Sequence, residues 1–318
     1  MLTIGAAVQD IFMSHSPEFM PFNDKYDGKV FLKIEFGSKN DVDDIIFSTG
    51  GGATNAAVTF ARQGLEVEFM GTIAHDTAGQ AVLTDLDNEG VDTKNVSYSD
   101  KYHTGYSTVL IAPNGERTFL TYRGASTHFD IKNFDLSESR ADWVYVSSMA
   151  GDMDVLDDIF RQAKKIDKKI CYNPGKDELK KISKLRPLLE DVEVLLVNKE
   201  EAQMIVDGET LEELVRKLIN RVSVVIVSDG HKGVMASDGQ TIVRAGMYED
   251  VKVVDRTGAG DAFGSGFLSQ WASGKSLKDS IVFASANSTS VVTKIGAKAG
   301  ILHKGAVLHA MPLSEKIF

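Results

Sequence analysis

Residues 253–268 read VVDRTGAGDAFGSGFL. A β-branched pair, then small residues, then an apolar helix-like run predict a strand that stops at Val254 and a helix that starts near Ala259. The first N–H groups of a helix have no intrahelical partner and lie at the positive end of its dipole. The N–H groups of Gly258, Ala259 and Gly260 therefore form a candidate anion hole. Asp261 falls in the first turn of that helix, where a carboxylate suits the dipole but repels a bound phosphate. It is either a capping acid or a group placed there to do chemistry.

Four further stretches carry candidates of the same kind. TGGGATNAAVTFARQG, residues 49–64, supplies a tight turn at Gly50 to Gly52, Thr54 or Asn55 as a cap, and a helix ended by Gly64. Gly50-x-Gly52-x-x-Asn55 lacks the third glycine of a dinucleotide fingerprint and does not open the first βαβ unit, so a structural turn and a ligand site both stay open. Asn198 and Glu201 in VNKEEA follow a buried strand. They fit a helix start, with Asn as cap and Glu suiting the dipole, or a pair holding the water shell of Mg²⁺. Ser228-Asp229-Gly230 with Gly233 form a loop after VVIV that is either a hairpin turn or a place for a ligand to approach the backbone. Asp10, expected at the end of the first strand, is a solvated turn acid or an acceptor for substrate hydroxyls. The P-loop alternative fails: Gly274-Lys275-Ser276 has the right tail, but position 269 is Ser where the motif needs glycine. Gly274 reads instead as a helix end and Ser276 as the next cap, with Asp279 three residues on.

The elements that must position these residues follow from short apolar runs, each trailed by a polar loop: LTIGAAV, WVYV, ICY, VEVLLV and VSVVIV. Unbroken Val/Ile/Leu runs predict strands buried on both faces. With VLDDIFRQAKKID and TLEELVRKLINR as intervening helices, the pattern is a parallel sheet built from βαβ units. Ligands of such sheets bind outside the carboxyl ends of the strands, where these loops fall. Two stretches break the pattern. HTGYSTVLIAPNGERTFLTYR, residues 103–123, alternates on both sides of Pro113-Asn114-Gly115, and KVFLKIEFG alternates within residues 19–48. They predict a small antiparallel flap made by segments of about 12–48 and 103–123, inserted into one domain over residues 1–318.

Composition limits the partners. A formal net charge of -10 argues against a nucleic-acid surface, which needs clustered Lys and Arg. No run approaches the roughly 18 apolar residues of a membrane span, and the opening MLTIGAAVQD has no basic region. The single cysteine, Cys171, excludes a disulfide framework and reads as a buried structural thiol, so a reducing cytoplasm is the expected setting.

Taken in order, GGGATNAA, VNKEEA, VSDGHKG and DRTGAGDAF resemble the ribokinase-like (PfkB-type) carbohydrate kinase family over nearly the whole chain. The resemblance implies a three-layer α/β/α sandwich with a central mainly parallel sheet and a small β-sheet lid. It implies Asp261 as catalytic base, an anion hole at Gly258, Ala259 and Gly260, and substrate contacts at Asp10, Gly51, Asn55 and Arg123. The nucleotide side carries over to Asn198, Ser228, Gly230, Gly233 and Asn287, and Glu201 to Mg²⁺ held through water. A monovalent cation such as K⁺ near Asp255 and Thr257 is implied for many members. Arg256 departs from the small or β-branched residue usual between those two, which puts the cation in doubt or adds a positive charge near the phosphates. The expected activity is ATP-dependent phosphorylation of a primary hydroxyl of a small sugar such as ribose or fructose. The alternative is a nucleoside kinase of adenosine, inosine or cytidine type on the same scaffold. A ligand sensor has no need of Asp261, a nicotinamide dehydrogenase would need the complete glycine pattern, and pairing of two copies through the lid is the expected assembly.

Overall fold

In the computed structural model, residues 1–318 are described apart from 15, 17–18, 20, 24–28, 114–115, 247–250 and 309–311. Among the described residues the largest sheet has nine strands. In spatial order they are Leu313–Ile317, Thr241–Ala245, Val234–Ser237, Val224–Ser228, Val194–Asn198, Lys169–Tyr172, Trp143–Val146, Leu2–Ile4 and Glu68–Met70. Pairing is parallel from Val224–Ser228 through to Glu68–Met70 and antiparallel for the remaining three strands.

Alternate residues of one strand reach opposite faces, and both faces are covered. Leu195, Val197, Val225 and Val227 pack into one core with Leu156, Ile159, Leu214 and Leu218 from helices Met153–Lys165 and Leu211–Leu218. Val194, Leu196, Val224 and Ile226 pack into a second core with Phe60, Phe267 and Ile281 from helices Gly52–Arg62, Ala259–Trp271 and Leu277–Val291. The helix-covered parallel sheet expected from the apolar runs, and the three-layer α/β/α sandwich that the resemblance implies, are observed. Cys171 is buried in the second core.

A second sheet has four strands in the order Arg117–Tyr122, Gly105–Ile111, Val8–Ser14 and Asp44–Gly50. Several details differ from expectation. The first apolar run is two strands, because the chain leaves the large sheet after Ile4 and enters the small one at Val8. Asp10 therefore lies inside a strand of the small sheet, paired with Ser48 and Ser107 in register, and not at the end of the first strand. KVFLKIEFG adds no strand to the small sheet. Only Val30–Leu32 is extended, in a separate pair with Pro21–Asn23. Asn114 and Gly115 lie outside the described residues, while the strands on either side of them pair antiparallel.

The predicted strand before Arg256 does not form, and residues 251–256 are neither strand nor helix. The N–H groups of Val254 and Asp255 both donate to the Val292 carbonyl, at 2.7 and 3.0 Å, so this segment is laid over the end of a helix and not along a sheet edge.

Candidate active site

The parallel strands end along one edge, and their trailing loops bring Ser147–Asp152, Asn173–Gly175, Asn198–Glu201 and Ser228–Gly233 to it. The helix Ala259–Trp271 opens on the same edge. Gly258, its N-cap, has φ +75°, and a Cβ there would lie 2.4 Å from Ala297 Cβ, so only glycine fits. The N–H of Ala259 donates to the Arg256 carbonyl at 3.2 Å, whereas those of Gly258, Gly260 and Asp261 have no partner among the described residues. The free donors of the turn thus differ by one residue from the expected set. Around Gly260 a Cβ would meet nothing within 4 Å, which leaves the backbone open to a ligand.

Asp261 caps nothing: its carboxylate accepts no N–H of its own turn and is held by Asn55 Nδ2 at 2.8 Å. Asn55 comes from the opposite helix, Gly52–Arg62, whose start is fixed by Gly51 at φ +105°. A Cβ on Gly51 would fall 2.2 Å from the Ala6 carbonyl, so the helix start approaches the link between strands Leu2–Ile4 and Val8–Ser14 closely only because that residue is glycine. Neither Thr54 nor Asn55 is the cap. Thr54 donates its hydroxyl back to the Gly50 carbonyl at 2.7 Å, inside the helix. Burial raises the Asp261 pKa above the usual carboxylate value, and the Asn55 hydrogen bond pulls it part of the way down. Beside the pair, Asn55 Oδ1 and Tyr145 Oη are buried polar atoms with no partner among the described residues, a state that invites a ligand hydroxyl.

Asp10 is 7% exposed, receives a hydrogen bond from Ser107, and has its pKa raised by burial. Its Oδ2 occupies the space a Cβ on Gly50 would need, at 2.5 Å, so Gly50 joins it to the Gly51–Asn55 turn. Behind it Lys298, 5% exposed, bonds Asp85 at 2.8 Å and Thr49 Oγ1 at 2.7 Å. Arg123 is exposed and precedes the short 3-10 turn Gly124–Thr127.

Beside the helix start lies a cleft of about 510 Å³ lined by Asn198, Ser228, Gly230, Gly233, Ala259 and Gly260 among others. Arg256 is exposed and lines it as well. Residues missed from sequence complete the wall: Phe263, Ser285, Ser288, Thr289 and Val292. Positions 285, 288 and 289 recur at helical spacing, so a small Ser/Thr stripe on Leu277–Val291 was the available signal. Ser285 Oγ is buried and unpartnered among the described residues. Asn287 does not line the cleft. It is fully buried, donating to the Ala262 carbonyl and accepting from Leu302 N, at 2.8 and 2.9 Å, so it braces two helices.

Asn198 and Glu201 form a reciprocal capping box, each accepting from the other's backbone N–H at 2.9 Å. Burial raises the Glu201 pKa, with the Asn198 N–H opposing it. No group of three or more metal-ligating side chains exists among the described residues. Asn198 lines the cleft but Glu201 does not, so Glu201 could reach Mg²⁺ only through that ion's water shell, which Mg²⁺ is prone to keep. Asp255 and Thr257 do not suit a monovalent cation. The Asp255 carboxylate is fully buried and accepts from Thr257 N and Gly296 N, both at 2.8 Å, and from the Arg117 guanidinium, which also donates to the Val254 carbonyl. Also missed was Glu178, fully buried, which accepts from Ser148 Oγ and from the N–H groups of Met149, Gly151 and Gly175 and so fixes two of the edge loops.

No helix among the described residues is long and apolar enough to cross a membrane. The chain is 26% identical to a ribokinase of Haemophilus influenzae over 264 residues, 79% of this chain and 83% of the relative. A putative ribokinase II of Escherichia coli, solved with ATP and Mg²⁺, superposes with a TM-score of 0.78 at 20% identity, covering 94% of each chain. The nucleoside kinase of Methanocaldococcus jannaschii superposes with a TM-score of 0.75 at 21% identity, covering 95% of this chain and 94% of its own. The model of the pfkB family of carbohydrate kinases matches residues 21–304. The chain belongs to that family and is a phosphotransferase.

Proposed function

We propose that this protein transfers the γ-phosphoryl group of ATP to a primary hydroxyl of a small sugar, with ribose or fructose as the type of acceptor. The observation that carries the reading is the placement of Asp261. Its carboxylate is oriented by Asn55 at 2.8 Å, in the first turn of a helix whose Ala259 and Gly260 line the 510 Å³ cleft.

The residues divide the work. The cleft walls at Ser228, Gly230, Gly233 and Ser285 take the nucleotide, with Arg256 adding positive charge near its phosphates. The free N–H groups of Gly258, Gly260 and Asp261 stabilise charge on the transferring phosphoryl oxygens. Asp261 accepts the proton of the attacking hydroxyl as its oxygen bonds the γ-phosphorus and the bond to the ADP oxygen breaks. The unpartnered Asn55 Oδ1 is an acceptor for a neighbouring hydroxyl, and buried Asp10 accepts from others. Glu201 would hold Mg²⁺ through water, with Asn198 on the nucleotide side, and bound Mg²⁺ would neutralise phosphate charge. The small sheet acts as a lid that excludes water. Its exposed Ile45, Phe47 and Leu120, which the strand register puts on one face, are the apolar surface for pairing with a second copy, which a sedimentation mass equal to one 34.6 kDa chain would overturn.

The test is ADP release from ATP and Mg²⁺ over ribose, fructose, fructose phosphates, 2-keto-3-deoxygluconate, adenosine, inosine and cytidine, with Asp261→Ala as control. Turnover on one sugar that vanishes in the variant supports the reading. Turnover only on nucleosides replaces it with the nucleoside kinase, and silence with nucleotide still bound rejects both for these acceptors.

A further inference from the structure

The ion pair that excludes a monovalent cation has its own consequence. Arg117 opens a strand of the small sheet, yet its side chain is only 14% exposed and reaches Asp255, which lies outside that sheet and is 0% exposed. The residues joined by this pair surround the phosphate-binding turn. Asp255 accepts from Thr257 N, immediately before Gly258, and from Gly296 N, immediately before the Ala297 that packs on Gly258. The Arg117 guanidinium also covers the Val254 carbonyl. A monovalent cation needs a shell of oxygen acceptors. Here the Asp255 oxygens and the Val254 oxygen already receive N–H donors, and the charge that balances the buried carboxylate is covalently attached to the small sheet.

We propose that Arg117 is a built-in cation for this site: a positioning residue that holds the Asp255–Gly258 turn in its anion-binding shape, makes phosphoryl transfer independent of K⁺, and ties the small sheet's seating to that turn. A guanidinium suits the task because it is always charged and presents its donors in a rigid fork, which a buried carboxylate flanked by a carbonyl can accept. An ion from solution can bind whatever the small sheet does, whereas this charge is in place only when the strand Arg117–Tyr122 is seated. The K⁺-independence rests on the phosphotransfer reading above; the pairing of Arg117 with Asp255 does not.

The experiment has two arms. In the first, ADP release is measured at constant ionic strength with tetramethylammonium chloride exchanged for KCl. The wild-type rate is expected to change less than about twofold. Arg117→Ala should lose about 10–100-fold, the range seen when a group that orients a functional site is removed. K⁺ or low guanidinium should restore part of that loss, tetramethylammonium should not, and Arg117→Lys, which keeps the charge but not the fork, should fall between Arg117→Ala and wild type. Wild-type activation by K⁺ of more than about tenfold, or an Arg117→Ala rate equal to wild type without K⁺, overturns the proposal. The second arm needs no substrate: thermal melting of wild type, Arg117→Leu, Asp255→Asn and the double variant. Each single change should lower Tm and the double variant should lose less than the sum, while additive losses refute the pair. If no acceptor is ever phosphorylated, the phosphotransfer reading fails, and this arm still decides whether Arg117 is the partner of Asp255.

Discussion

Asp261→Asn should move activity and stability in different directions. The substitution keeps the side-chain volume and removes the charge. Three electrostatic effects act on that charge in the fold. Its attraction to the helix N-terminus is worth about 0.3–1 kcal/mol. The hydrogen bond from Asn55 weakens by about 1 kcal/mol when its acceptor becomes neutral. Burial opposes both, and because the folded pKa lies above the ordinary value of 3.8, burial wins. The sign follows: a raised carboxylate pKa favours the folded state below pH 3.8, and that stability is lost as pH rises through the folded pKa. At neutral pH the wild type therefore carries a penalty that the amide does not. Asn55 Oδ1, unpartnered in the fold, can accept from the new amide after a flip of the Asn55 side chain. Urea melts should show Asp261→Asn at least as stable as wild type, while kcat falls about 10²–10⁴-fold, or roughly 3–5 kcal/mol of transition-state stabilisation. A purely structural acid would give the reverse, with a loss of about 1 kcal/mol of stability and kcat within a few-fold. That result would refute the assignment of Asp261 as proton acceptor.

Asn55→Leu should shift the acidic limb of kcat/KM to higher pH, because the hydrogen bond it removes holds the Asp261 pKa down; a limb that stays put or moves lower would contradict this. Gly258→Ala should destabilise by about 2 kcal/mol or more, from left-handed backbone and the contact with Ala297. Gly260→Ala, with open space around it, should melt within about 1 kcal/mol of wild type yet raise KM for ATP, since its methyl group enters the cleft. Asp85→Asn should cost about 3 kcal/mol in urea melts by leaving Lys298 buried without its carboxylate, and Asp85→Asn with Lys298→Met should recover part of the loss.

The sequence by itself determined the sheet and the position of the glycine turn before Asp261. Runs such as VLLV and VVIV are buried at every residue, and at that length, with polar loops on either side, they suit a strand covered on both faces. Gly258 and Gly51 announced backbone geometries that no other residue tolerates. Local chemistry also revealed the Asn198–Glu201 cap, since its two partners are three residues apart. What the sequence left undecided depended on contacts between residues far apart in the chain. Asn55 meets Asp261 across 206 positions, Lys298 meets Asp85 across 213 and Arg117 meets Asp255 across 138, and no local pattern encodes such a pairing. The same holds for VVDR, whose β-branched residues favour a strand. Its N–H groups found the Val292 carbonyl first, and only the tertiary structure placed that acceptor there.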